Sequence, residues 1–133
     1  MAVSFLLARF LSTENTERDD EVALLQAQAR GDVAGMLAQL AGCRERPACA
    51  AVVRANASNP RLRRAGAVKI LSLKSSTSYA LSSTVGMTRL AWTVIGKLPV
   101  VQCVEVRRSG NFLQGMTITL SSLSAPIPNE ADC

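Results

Sequence analysis

Cysteine is the residue in this chain whose type and spacing could do chemistry, and it occurs four times in a sequence with no histidine. Cys43 and Cys49 bracket the segment Cys-Arg-Glu-Arg-Pro-Ala-Cys, Cys103 lies in a strand-like run, and Cys133 is the last residue. An even count with one close pair points to disulfides. Of the three connectivities that four cysteines allow, proximity favours Cys43–Cys49, which leaves Cys103 for Cys133. The rival is a zinc site of all four thiolates, but paired C-x-x-C spacing is absent. Redox catalysis would need that same motif. Disulfides imply an extracytoplasmic location. The absence of histidine removes the commonest general base and the commonest metal ligand.

The remaining candidates are sparse. Glu105 is the one acid in the middle of the strand region, where a buried carboxylate could act as general acid or base. The plainer expectation is a cross-strand pair with Arg89 or Arg107. Ser75-Ser76-Thr77-Ser78 and Ser82-Ser83-Thr84 offer hydroxyls, with Lys74 the sole local base, but read better as polar strand edges and turns. Trp92 could line a pocket and fits a core position better, between Leu90 and Val94. Asn56-Ala57-Ser58 is a glycosylation sequon, relevant only in a eukaryotic secretory host. No residue is assigned as catalytic, cofactor-binding or metal-binding, and no cofactor is expected.

The net charge is +5, and Arg54, Arg61, Arg63 and Arg64 form the densest basic cluster. It reads as a solvated loop or a contact patch for anionic lipid headgroups. No aromatic is interleaved with these arginines to stack bases, so nucleic acid is not the expected partner. Arginine outnumbers lysine twelve to three and alanine is abundant, a bias typical of GC-rich bacterial genomes.

These residues need elements to position them. At 133 residues the chain is long enough to bury a core without disulfides. Residues 1–12 are mostly apolar, but ten residues of helix rise only ~15 Å, against ~30 Å of hydrocarbon. The segment is read as the remnant of a membrane anchor, with an interfacial helix or simple packing as rivals. Residues 13–124 form a single α+β domain, and 125–133 a coil tail tied by Cys133. A helix is expected over 12–30, its first turns loaded with Glu14, Glu17, Asp19, Asp20 and Glu21, and ended by Gly31. Val22, Leu25 and Ala29 should mark its buried face. Asp32 caps a second helix with an apolar stripe at Val33, Met36, Leu37 and Leu40. Pro47 opens a third, to about Asn56. From Gly66 the period falls to two, giving four or five strands, with turns read at Gly86, at Gly96–Pro99 and at Ser109-Gly110-Asn111. Short links favour antiparallel neighbours.

The phrase Ala27-Gln28-Ala29-Arg30-Gly31-Asp32-Val33-Ala34-Gly35-Met36-Leu37, a long helix ending in a Gly-Asp turn that starts a shorter one, resembles the nuclear-transport-factor-2-like superfamily. With the strands that follow, the resemblance covers about residues 14–124. It implies N-terminal helices packed on a curved antiparallel sheet, the cone shape of that superfamily. A cystatin-like sheet wrapped on a helix is the topological rival. Enzymes of the superfamily use an acid or histidine inside the cone, often with tyrosines. Here only Tyr79 and Glu105 answer to that pattern. The expectation is a non-catalytic, membrane-tethered or secreted extracytoplasmic domain that binds a protein partner, an envelope component or a small apolar ligand. Alternatives are a small cone-fold enzyme using Glu105, or a basic module for anionic lipid or nucleic acid. The oligomeric state stays open, a dimer included.

Overall fold

The computed structural model describes residues 17–75, 83–111, 115–128, 131 and 133. The N-terminal segment 1–12, Glu14 of the expected first helix, and Tyr79 lie outside them. Helix α1 runs over 17–30. Its buried stripe is Glu17, Glu21, Leu24, Leu25 and Gln28, the spacing of one helical face. Leu25 and Ala29 of the expected face are buried, as is Ala27, but Val22 is half-buried, and two acids and a glutamine also point inward. Gly31 ends α1 with φ +72°, a left-handed turn that a side chain would strain.

Asp32 then caps α2 (Val33–Gln39), its Oδ1 accepting from the Gly35 N–H at 2.9 Å. Leu40 bridges in parallel to Leu120, and the Ala41 N–H donates to the Leu120 carbonyl at 2.8 Å, tying the end of α2 to the sheet. Pro47 opens α3 (Pro47–Ser58), which outlasts its expected end by two residues and buries Cys49, Ala50, Val53, Asn56 and Ala57.

Four strands follow: β1 (Lys69–Ser75), β2 (Ser83–Thr93), β3 (Val100–Asn111) and β4 (Gly115–Leu123). They pair in chain order as an antiparallel sheet, on which the three helices pack. Register shifts at Ile70/Ser72 and Glu105/Val106 place bulges that bend the strands. Two expected turns are absent. Gly86 pairs with Val106 inside β2, and Ser109, Gly110 and Asn111 pair with Thr117, Met116 and Gly115. The chain therefore reverses between Asn111 and Gly115, because continuous pairing outweighs local turn preference.

Leu24, Leu25, Met36, Val53, Leu90 and Trp92 belong to one core between helices and sheet. Trp92 is fully buried, as a core residue. Polar groups cross this core in two places. Gln28 and Gln102 exchange two amide bonds of 2.9 Å, while Gln102 also accepts from Trp92 Nε1 at 2.8 Å and donates to the Ser124 carbonyl at 2.9 Å. Nearer the start of α1, Glu17 accepts from the Thr88 hydroxyl at 2.9 Å and from Arg108 at 2.5 Å. Both charged side chains are shut off from solvent, at 1% and 0% exposure.

The disulfides are Cys43–Cys49 and Cys103–Cys133, the expected pairing, so the thiols needed for a zinc site are consumed. The first closes the α2–α3 link. The second holds the tail on the sheet. The Ser124 N–H donates to the Cys103 carbonyl and the Ile127 N–H to the Val101 carbonyl, both at 2.8 Å. Arg89 Nε donates to the Ala131 carbonyl at 2.8 Å. The tail is thus partly a paired segment rather than free coil. Structural disulfides persist in oxidising surroundings, which suggests an extracytoplasmic environment. Among the described residues no helix is long and apolar enough to cross a membrane.

Candidate functional site

The site is built from a loop, a turn and the tail. After α3, Asn59-Pro60 breaks the helix, and the Asn59 carbonyl accepts from the N–H groups of Leu62 and Arg63 at 3.0 and 3.2 Å. Leu62 is fully buried and pins the loop, so its neighbours Arg61 and Arg63 project into solvent. Arg64 takes a different course. Its N–H donates to the Ala29 carbonyl at 3.0 Å, which ties the loop to the end of α1. Its guanidinium donates from Nη1 to the Leu98 carbonyl at 2.7 Å and from Nε to the Arg61 carbonyl at 3.1 Å. It also lies 5.3 Å from the centroid of the Trp92 ring, within cation–π range. Partial burial and, after it, repulsion from Arg61 lower the affinity of Arg64 for its proton, although an arginine stays charged at any physiological pH.

The β2–β3 turn faces this loop. The Lys97 N–H donates to the Val94 carbonyl at 3.0 Å, and Gly96 takes φ +84° as the third turn residue, as a type II turn demands. The Thr93 hydroxyl donates to the Lys97 carbonyl at 2.8 Å and braces the turn from inside. Outside it, Ile95 is 91% and Leu98 83% exposed, the most exposed large apolar side chains among the described residues.

Between loop, turn and tail lies a groove of about 630 Å³. Val100, Val101, Pro99 and Ile127 contribute apolar surface to its lining. Arg61, Arg63, Arg64 and Lys97 supply its charge, and among the described residues no Asp or Glu lines it. An anion entering it would meet several cations. Of the four arginines singled out in the sequence, three converge here. Arg54 is exposed on α3 and does not line the groove. Lys97 was missed because it stands 33 positions beyond Arg64 and joins the cluster only when β2 and β3 pair.

Glu105 lies elsewhere. Gln102 and Arg108 reach α1, so strand alternation sets Glu105 on the opposite face of the sheet. Half-buried there, it accepts from the Ser121 hydroxyl at 2.8 Å. The cavity carboxylate that the enzyme alternative needs is therefore not inside. Acids do face the interior, but they are Glu17 and Glu21 of α1. Their i, i+4 spacing, continued by Leu24 and Gln28, was the legible signal. Lys74 is exposed on β1, while Ser76, Thr77, Ser78 and Ser82 fall outside the described residues. Asn56 is buried, and its amide donates to the Ser124 carbonyl at 2.9 Å, so folding closes the sequon. Among the described residues no group of three His, Cys, Asp or Glu side chains gathers as metal ligands would. No protein-family model matches this chain, and no curated protein and no solved structure matches it either.

Proposed function

We propose that this chain is a non-catalytic extracytoplasmic domain, tethered to a membrane by its N-terminal apolar segment, that binds an anionic envelope component through the groove. The observation that carries the reading is the lining: four cations above an apolar floor, with no acid among the described residues. The two disulfides support export, and the fixed Arg64 supports a pre-organised anion site. The Gly31–Asp32 junction between α1 and α2, with a bulged antiparallel sheet behind it, supports a nuclear-transport-factor-2-like, cone-shaped fold. The core beneath the helices is occupied by Trp92, Leu24, Leu25 and the Gln28–Gln102 pair, which favours contact at the surface over a ligand held inside. The position of Glu105 on the opposite face favours binding over catalysis.

The test is binding of a soluble polyanion, fluorescent dextran sulfate, followed by anisotropy in low and high salt. Binding that weakens with salt, and falls in the Arg61→Ala/Arg63→Ala variant but not in Arg54→Ala, is the expected result. Equal binding by all three proteins refutes the assignment of the groove.

A further inference from the structure

The groove is framed by a feature its anion-binding role does not use: the apolar tip of the β2–β3 turn. Ile95 and Leu98 stand in solvent at 91% and 83% exposure. They are not loosely held. The turn is closed by the Lys97 N–H to Val94 bond, braced by Thr93, and backed by Arg64 on the Leu98 carbonyl. Exposure of two large apolar side chains on a rigid tip costs solvation continuously and gains nothing for the fold. Rigid display is what a docking element needs, because little conformational freedom is lost on binding.

We propose that this tip is a membrane-docking element: Ile95 and Leu98 enter the interfacial region of an anionic bilayer while Arg61, Arg63, Arg64 and Lys97 hold its headgroups. The inference rests on the groove's reading as an anion site and names the anion as lipid headgroups. The layering of the surface supports it. Apolar side chains are at the tip, Lys97 lies between them in sequence, and Arg64 is fixed behind the Leu98 carbonyl. A bilayer interface has the same order, acyl chains inward and anionic headgroups outward. Charge complementarity is one-signed among the described residues, where four cations and no acid line the groove. An acidic protein would satisfy the cations, but a stable protein interface takes about 800 Å² from each partner. A single hairpin tip with two apolar side chains does not offer that, whereas a fluid bilayer accepts two side chains without a matching shape.

The experiment places the reporter at the tip, so that binding by any other part of the chain cannot imitate it. The oxidised full chain carrying Ile95→Trp is mixed with vesicles of phosphatidylcholine, or of phosphatidylcholine with phosphatidylglycerol, each with and without brominated acyl chains. Buried Trp92 provides a constant background. With phosphatidylglycerol, emission from position 95 is expected to shift to the blue and to be quenched by bromine. Arg61→Ala/Arg63→Ala in that background should lower vesicle affinity about thirtyfold, at about fivefold per cation. Leu98→Asp should remove the quenching. If position 95 stays unquenched while dextran sulfate still binds through Arg61 and Arg63, the lipid inference falls and the groove remains an anion site for another partner. Should the arginine variant bind dextran sulfate as the unaltered chain does, the groove reading itself falls. Quenching as strong with phosphatidylcholine alone would overturn the role given to the cations.

Discussion

Removing Arg108 should cost this domain a large share of its stability. Its guanidinium is 1% exposed and bonded to Glu17, which is 0% exposed and bonded also to Thr88. Glu21, one turn along α1, is equally buried. Arg108→Met keeps much of the side-chain volume and deletes the charge, leaving the Glu17 carboxylate in the core with the Thr88 hydroxyl and a second acid a turn away. Breaking a buried pair in this way costs about 3–5 kcal/mol, because the surviving charge is no longer compensated. A domain holds only about 5–15 kcal/mol in all. The expected loss in melting temperature is on the order of 10–20 °C. The double variant Glu17→Leu/Arg108→Met removes both charges and should recover most of that loss, since well-packed apolar residues replace buried pairs at little cost. The assay is urea unfolding of the four proteins of the cycle, with disulfides intact. Single-variant losses below about 1 kcal/mol would refute the reasoning, since that is the behaviour of a hydrated surface pair.

Other expectations follow from the same geometry. Gln102→Leu strands the Gln28 amide and the Trp92 N–H at once, while the Ser124 carbonyl keeps its bond from the Asn56 amide. At about 1–3 kcal/mol for each buried group left unpaired, urea unfolding should register a loss of at least about 2 kcal/mol. The two disulfides should differ in worth, since Cys103–Cys133 spans 30 residues and Cys43–Cys49 spans 6. Serine pairs should lower stability by about 3–4 kcal/mol for the long loop and about 2 kcal/mol for the short one, and the reverse order in urea would contradict the loop-entropy account. Asp20 has its proton affinity raised, by burial first and by Asp19 second. A raised carboxyl binds more protons folded than unfolded, so its contribution to stability falls as pH rises from 3.8 through the folded value. Asp20→Asn should raise the melting temperature at neutral pH and flatten that slope; a lower melting temperature would show that the charge is instead welcome near the start of α1.

The parts of the fold that were legible in the sequence are those set by local chemistry. Gly31-Asp32 and Pro47 marked helix ends because left-handed backbone, a capping oxygen and a missing N–H act within one turn. Cys43–Cys49 was legible from proximity, and Cys103–Cys133 followed by subtraction. What failed to show was set by distant partners. Gly86 and Ser109-Gly110-Asn111 carry turn residues, yet each has a strand opposite it, and pairing decides. Glu17 looked like a solvated first-turn acid because its partner, Arg108, stands 91 residues away. The clue was parity: Gln102, Val104, Val106 and Arg108 alternate on one face of β3, so a buried arginine there called for a buried acid. Arg61, Arg63 and Arg64 were visible as a cluster, but the tip that frames them is a property of how β2 meets β3.

The course of α1 bears on reach. Glu17, the first described residue of the helix, lies beside Thr88 and Arg108, and the helix ends against the Arg64 loop at the groove. Fourteen helical residues cover ~21 Å. Glu17 is therefore ~21 Å along the helix from the groove end, and the Gln28–Gln102 and Glu17–Arg108 links keep α1 from pivoting on the sheet. Such a body acts as a spacer. A contact made beside Glu17 and a surface met by Ile95 and Leu98 would be kept apart by a rigid strut whose length is fixed by the core.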